Sequence, residues 1–199
     1  MSKTVDFIFD FGSPNAYFTH KIAPQIEART GAKFNYIPCL LGGIFKATGN
    51  QAPMMAFGHI ENKMAYEGLD MQRFIARHKL TDYKFNPHFP INTLMLMRGA
   101  IVAERDGFLP AYIDAMVAGV WEQELKLDDP DVLHKAYADA GFDADMLMEE
   151  MTKPEIKAKL AENTEAAVTR GAFGIPTFFV GDEIFFGKDR LDQVEELLG

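Results

Sequence analysis

The spacing of hydrophobic residues changes twice along this 199-residue chain. β-Branched and aromatic residues dominate residues 5–11 and 34–37, whereas apolar side chains recur every three or four positions between them, at residues 15–30. The first pattern is typical of strands and the second of an amphipathic helix. The order predicts a β-α-β unit with parallel strands and a right-handed crossover.

The end of the chain returns to the strand pattern. Residues 176–180 and 184–186 are apolar and are separated by a turn that contains Gly181, which predicts a hairpin. Residues 191–198 follow with their apolar positions on one helical face. The last part of the chain is therefore predicted to be a β-β-α unit.

Between these two parts the spacing is helical and carries no strand signal. The predicted helices lie at residues 54–69, 71–78, 91–106, 109–125, 131–140, 144–151 and 154–169. Thr152-Lys153-Pro154-Glu155 matches a capping box for the last of them, and residues 40–53 are predicted to be a loop with one helical turn because Gly and Asn interrupt them. We expect an α/β domain at residues 1–45 and 165–199 and an inserted all-helical domain at 46–164.

Composition and charge exclude several classes of protein. The chain is 48% hydrophobic and 25% charged, as globular domains are, and its formal net charge of −9 disfavours binding to nucleic acid or to anionic membranes. No apolar run reaches the length of about 18 residues that a membrane-spanning helix needs. Residues 1–4 show no secretory leader pattern, so we expect a cytoplasmic protein.

Cysteine and histidine usage argues against redox and metal chemistry. Cys39 is the only cysteine, which excludes an internal disulfide and a Cys-x-x-Cys pair, and its position after a strand indicates a small buried hydrophobic residue. The five histidines are scattered without the spacing of metal ligands. We expect no metal site.

The turn after the first strand contains the strongest candidate for chemistry. Gly12 permits a tight change of direction, Ser13 suits the N-cap of a helix, and Pro14 suits its first position. A helix N-terminus carries unpaired N–H groups and about half a positive charge, so Ser13 is placed where an anion or a thiolate is stabilised. Capping alone explains the same residues, and both interpretations are open at this point.

Lys46 and Asn50 lie in the predicted loop at residues 40–53. Loops fixed to a rigid scaffold often bind ligands, which makes both residues candidate contacts. A solvated lysine and a turn asparagine are the alternative interpretation.

Four motifs in this order are far more specific than any one of them. They are Asp10-Phe11-Gly12-Ser13-Pro14, Lys46-Ala47-Thr48-Gly49-Asn50-Gln51-Ala52-Pro53, Gly174-Ile175-Pro176 and Gly187-Lys188-Asp189-Arg190. Together they resemble the 2-hydroxychromene-2-carboxylate isomerases, a family similar to the kappa-class glutathione transferases within the DsbA-like branch of the thioredoxin superfamily. The resemblance covers essentially the whole chain and implies an α/β, thioredoxin-like fold with a cis proline at Pro176.

The resemblance also implies how glutathione binds at its thiol end. Ser13 replaces the first redox cysteine of the superfamily and is the implied catalytic residue, because it hydrogen-bonds the glutathione sulfur. Asn15 lies at the same end, although many members of the family carry an aromatic residue there. The backbone of Ile175, just before Pro176, is implied to pair with the cysteinyl part.

The remaining implied contacts hold the rest of the tripeptide. Lys46 and Asn50 of the second motif are included among them. Lys188 and Asp189 are implied to hold the γ-glutamyl end, where the Asp189 carboxylate is the natural partner for the free ammonium.

Elementary energetics agree with a thiol site at Ser13. Lowering the pKa of a thiol by two units from about 8.5 requires roughly 2.7 kcal/mol. A hydrogen bond to a charged group supplies about 1.5–3 kcal/mol and a helix N-terminus about 0.3–1 kcal/mol. Ser13 and its helix can therefore supply most of this free energy without Ser13 acting as a nucleophile.

The implied reaction is isomerisation of a small aromatic acid by a homodimeric enzyme, with glutathione regenerated as a cofactor. A kappa-like transferase that consumes glutathione is the second hypothesis, and a non-catalytic thioredoxin-like binding module is the third. Thiol-disulfide exchange is disfavoured because Ser13 and Ala16 stand at the two redox positions.

Overall fold

The central sheet is built from both ends of the chain. The computed structural model describes residues 4–199, and its strands are β1 (Thr4–Phe9), β2 (Lys33–Pro38), β3 (Thr177–Val180) and β4 (Glu183–Phe186). The strand order is β2-β1-β3-β4. β1 runs parallel to β2 and antiparallel to β3, which is antiparallel to β4. The predicted β-α-β and β-β-α units are confirmed, and they form one mixed sheet.

Helices account for most of the rest of residues 4–199. They are α1 (Pro14–Thr30), α2 (Leu41–Thr48), α3 (Pro53–Phe57), α4 (Glu61–His78), α5 (Leu94–Asp106), α6 (Leu109–Trp121), α7 (Pro130–Asp139), α8 (Ala144–Glu150), α9 (Pro154–Thr169) and α10 (Leu191–Leu198), with a 3₁₀ turn at Lys188–Arg190. α2 and α9 cross the boundaries expected near residues 45 and 164. The division into two domains therefore stays a prediction.

The prediction of a loop at residues 40–53 was wrong, because most of that stretch is the helix α2. Ile44 of α2 is fully buried, and Gly43 lies so close to α9 that an added Cβ would be 3.1 Å from Cγ2 of Thr164. Glycine has poor helix propensity, but here it lets two helices approach. Tertiary packing outweighs the local signal.

Element boundaries and one capping motif also differ from the prediction. The helices expected at 54–69 and 71–78 are instead the short α3 and the long α4, with the break near Gly58. The first strand ends at Phe9, so that Asp10 to Gly12 form the turn. The capping box was wrong, since Lys153 is the N-cap of α9 without a side-chain bond and the Thr152 hydroxyl donates to the Glu149 carbonyl.

Aromatic packing joins the sheet to the helices. Phe7 and Phe9 of β1 are fully buried, and their ring centroids are 5.5 Å apart in an edge-to-face contact. The indole N–H of Trp121, at the end of α6, donates a 2.9 Å hydrogen bond to the Phe11 carbonyl. The helical part of the chain is thereby fixed to the turn that leads into α1.

Candidate functional site

A buried carboxylate organises the turn between β1 and α1. Asp10 is fully buried; its Oδ1 accepts from the Gly12 N–H at 2.8 Å and its Oδ2 from the Leu41 N–H at 2.7 Å. Burial raises the pKa of Asp10 to about 6, although these two bonds and one from the Thr93 hydroxyl oppose the rise. One side chain therefore fixes both the turn and the start of α2.

Ser13 is the N-cap of α1 and also contacts the opposite end of the chain. Its backbone is extended, its Oγ accepts from the Ala16 N–H at 3.3 Å, and its hydroxyl donates to the Ile175 carbonyl at 2.9 Å. Ile175 is 162 positions away in sequence. The fold thus brings the first and third motifs into direct contact. Ser13 both caps α1 and forms part of the candidate site.

The loop before β3 has the expected backbone form. The Ile175–Pro176 peptide is cis, as predicted. The Thr177 hydroxyl donates to the Gly174 carbonyl at 2.7 Å, and the Gly187 N–H donates to the Pro176 carbonyl at 2.9 Å. Within residues 4–199 the Ile175 N–H has no hydrogen-bond acceptor, which leaves a backbone donor available beside Ser13.

Ser13 and Asn15 line a cavity of about 410 Å³ whose walls are mostly apolar. The aromatic and methionine side chains in these walls are Phe45, Met54, Phe57, Met71, Phe85, Phe89, Phe173 and Phe186. Phe85 is 52% exposed, and its ring centroid is 5.2 Å from that of Phe89. A cavity of this kind suits a flat apolar ligand with a small polar group directed at Ser13.

Asn50 also lines this cavity, but its side chain is already engaged. Its Nδ2 donates to the Phe173 carbonyl at 2.8 Å, and its Oδ1 accepts from the Gln51 N–H at 2.8 Å. Asn50 therefore ties the segment after α2 to the loop before β3. Its contact with the tripeptide stays a prediction.

Lys188 and Asp189 form an ion cluster with a third residue, which the sequence did not reveal. The Lys188 ammonium lies 2.9 Å from Oδ2 of Asp70 on α4 and 2.8 Å from Oδ1 of Asp189. It also lies 4.8 Å from the centre of the Phe74 ring. Neither Lys188 nor Asp189 lines the Ser13 cavity; both line a different cavity of about 290 Å³.

Lys46 is placed away from Ser13. Leu41 and Phe45 of α2 face the Ser13 cavity, whereas Lys46 lines a separate groove on another face of the same helix. The structure therefore does not bring Lys46 together with Ser13. If residues 41–48 had been predicted to be a helix, its periodicity would have placed Lys46 and Leu41 on different faces. The glycines in this segment led to the prediction of a loop instead.

Two rings in the wall of the Ser13 cavity, Phe85 and Phe89, come from an irregular segment that no sequence pattern indicates. Phe85 and Phe89 precede α5 in a segment of turns, and the Phe89–Pro90 peptide is a second cis bond. Their side chains reach the cavity because Phe89 packs near Trp121, with centroids 6.0 Å apart. Nothing in the local pattern indicates such a placement, since irregular segments carry no periodicity.

Cys39 does not line this cavity. Cys39 is fully buried as predicted, and burial raises the pKa of its thiol to about 12, which makes it unreactive at neutral pH. Across residues 4–199 no three His, Cys, Asp or Glu side chains are grouped as metal ligands.

In the same part of the chain no helix combines the length and apolar character needed to span a membrane. Residues 1–3, on which the prediction about a leader partly rests, lie outside the described residues.

Comparisons with known proteins identify the family of the chain. The DSBA-like thioredoxin domain matches residues 4–199. A 2-hydroxychromene-2-carboxylate isomerase of Sphingobium xenophagum is 30% identical, covering 100% of this chain and 99% of that protein. Glutathione S-transferase kappa 1 of Homo sapiens is 28% identical, covering 100% of this chain and 92% of that protein. The solved structure of a 2-hydroxychromene-2-carboxylate isomerase has a TM-score of 0.85 at 26% identity and covers 98% of this chain and 94% of its own.

Proposed function

The chain belongs to the DSBA-like thioredoxin domain family, and we propose that it is a glutathione-dependent isomerase. The proposed reaction interconverts 2-hydroxychromene-2-carboxylate and trans-o-hydroxybenzylidenepyruvate in aromatic hydrocarbon catabolism. The similarity of the full chain to proteins named as 2-hydroxychromene-2-carboxylate isomerases supports this choice. The similarity to kappa-class glutathione transferases supports glutathione as the cofactor.

The observation that carries the proposal is the Ser13 hydroxyl. It is only 5% exposed, caps α1, contacts the Ile175 carbonyl, and lines an aromatic-walled cavity. No paired base that could make Ser13 a nucleophile contacts it, since within residues 4–199 its hydroxyl bonds involve backbone groups alone. Ser13 therefore suits the stabilisation of a sulfur anion supplied by another molecule.

The residues around Ser13 fit the cysteinyl part of glutathione. When bound, glutathione supplies the thiolate that adds reversibly to the conjugated double bond of the substrate and allows that bond to rotate. Ile175 presents a free N–H and a carbonyl, the two groups that a peptide in extended conformation pairs with. Asn15 lies at the same end, and Pro176 holds the Ile175 backbone in position.

The hydrogen bond from Ser13 to Ile175 reduces the stabilisation that Ser13 is expected to give a bound thiolate. A hydroxyl has one hydrogen, so Ser13 must release Ile175 before it donates to sulfur. Exchanging a neutral hydrogen bond of about 0.5–1.5 kcal/mol for one to an anion of about 1.5–3 kcal/mol gains roughly 1–1.5 kcal/mol. With about 0.3–1 kcal/mol from the α1 N-terminus, the pKa of the thiol falls from about 8.5 to about 7. The released Ile175 carbonyl can then accept the cysteinyl N–H.

We place the γ-glutamyl end near Lys188, Asp189 and Asp70. The Lys188 ammonium already occupies the position between the two carboxylates, and its side chain is only 6% exposed. The Asp189 side chain is 58% exposed and can bind a second ammonium on its open side. Asn50 is retained as a contact at the cavity, but Lys46 is not included because it lines another groove.

The aromatic wall supports a flat aromatic acid as the second substrate. Phe45, Phe85 and Phe89 offer ring faces and edges to such a molecule, and stacking of this kind contributes about 0.5–1.5 kcal/mol per ring. We further infer a homodimer, because α3 and α4 expose Met54, Met55 and other large apolar side chains. We keep the cytoplasm as the proposed location.

Counting free thiol during turnover tests the proposal. The protein is incubated with glutathione and the ring-opened substrate, and both the substrate spectrum and the thiol concentration are followed. An isomerase changes the spectrum while the amount of thiol stays constant, whereas a transferase removes one thiol for each substrate converted. A binding module changes neither, and absence of a thermal shift with glutathione would count against the glutathione site itself.

A further inference from the structure

Arg98, on α5, is a charged side chain without a partner. Within residues 4–199 no ion pair or hydrogen bond engages it, and its Nε is buried without an acceptor. A buried donor of a charged group that lacks an acceptor costs more free energy than a lost neutral hydrogen bond. Although the chain has 29 acidic residues against 20 basic ones, no carboxylate of residues 4–199 forms an ion pair with Arg98, so its guanidinium can bind an acceptor from outside the chain.

The surroundings of Arg98 are those of a ligand site. It lines a groove of about 470 Å³ between α2, α5 and α9, together with Lys46 and Lys157. Leu94, Leu160 and Val168 provide apolar walls. Glu165 is the one acidic residue that lines the groove, so cations outnumber acids there by three to one.

The groove is formed by parts that are fixed in place. The Thr164 hydroxyl accepts from the Leu40 N–H at 3.0 Å and donates to the Leu160 carbonyl at 2.7 Å, which binds α9 to the start of α2. Gly43 packs directly against Thr164. A ligand therefore meets a preformed surface and pays little ordering entropy on binding.

We propose that this groove binds a small carboxylate with an apolar, ring-sized body, whose carboxylate pairs with the Arg98 guanidinium. A guanidinium matches the planar geometry of a carboxylate, and the leucine and valine side chains accept the apolar body. Glu165 disfavours anions of higher charge, such as phosphate esters. Leu41 and Phe45 of α2 face the Ser13 cavity, so the two sites lie on different faces of one helix and this site does not depend on glutathione.

Isothermal titration of the full chain with naphthalene-2-carboxylate, in the absence of glutathione, tests the proposal. Arg98→Gln is expected to lose one binding event or to weaken it about tenfold to a hundredfold, the range of a charge-assisted hydrogen bond. Arg73→Gln removes the same charge from an exposed position on α4 and is the matched control, expected to bind as the wild type does. The neutral naphthalene-2-carboxamide is expected to show the same weakening with the wild type.

Ala161→Trp provides a second variant, which fills the groove from α9 without changing charge. It is expected to remove the same binding event even if Arg98→Gln were to unfold. Equal binding of naphthalene-2-carboxylate by the wild type and Ala161→Trp would overturn the proposal. A crystal soak with ligand density in the Ser13 cavity and none beside Arg98 would do the same, whereas failure of the isomerase hypothesis would leave these titrations unchanged.

Discussion

Replacing Ser13 with alanine removes the hydroxyl that the proposed mechanism requires. The exchange from Ile175 to sulfur is worth roughly 1–1.5 kcal/mol, so its loss raises the pKa of the bound thiol by about one unit. If that pKa is about 7 in the wild type, the thiolate fraction at pH 7 falls about fivefold. The loss of turnover is therefore expected to be about fivefold at pH 7 and to disappear at high pH, where both proteins hold thiolate.

The assay is a pH titration of the thiolate absorbance of glutathione bound to Ser13→Ala, together with turnover at each pH. Loss of the N-cap also costs about 0.5–2 kcal/mol of folding stability, which must be separated from the effect on the thiol. Asp143→Ala is the control, because Asp143 caps α8 through the Met146 N–H at 2.9 Å and lies outside the lining of the cavity. It is expected to lose comparable stability and to leave the thiol titration unchanged. An identical thiol pKa in Ser13→Ala and the wild type would refute the role of Ser13.

Three further predictions concern the core, the turn and the aromatic wall. Gly99→Ala is expected to lower the free energy of unfolding in urea by about 1–3 kcal/mol, because the added Cβ would overlap two buried tyrosine hydroxyls; a loss within error of zero would contradict the packing. Relative to Asp10→Asn, the free energy of unfolding of the wild type is expected to rise by up to about 3 kcal/mol as the pH falls from about 6 to about 4. The reason is that the raised pKa of Asp10 lets the folded state bind a proton at a higher pH than the unfolded chain does. Urea titrations that run parallel for the two proteins across this range would contradict it. Phe85→Ala is expected to raise KM for the aromatic substrate about threefold to tenfold without changing glutathione affinity. The control is Ile184→Ala, a truncation of an apolar side chain on β4 outside the cavity, which is expected to leave both quantities unchanged. Steady-state kinetics at saturating glutathione decide this.

Asp10 connects the fold to the chemistry in a way that a sequence pattern does not express. Its position in the first motif was evident, but its role depends on the Leu41 N–H, which is 31 residues away. Only the assembled sheet brings the start of α2 to the end of β1. The buried carboxylate therefore fixes one wall of the Ser13 cavity and the turn that carries Ser13 at the same time.

The sequence by itself determined the β-α-β and β-β-α units at the two ends, the mixed α/β class, the N-cap at Ser13 and the burial of Cys39, because each depends on local periodicity or on the chemistry of one short segment. The tertiary structure decided which side chains meet. Examples are the bond from Ser13 to Ile175, the cluster of Asp70 with Lys188, and the unpartnered guanidinium of Arg98. These contacts join residues more than a hundred positions apart or leave a group without a partner. Their energies arise from burial and desolvation, which exist only once the chain has folded.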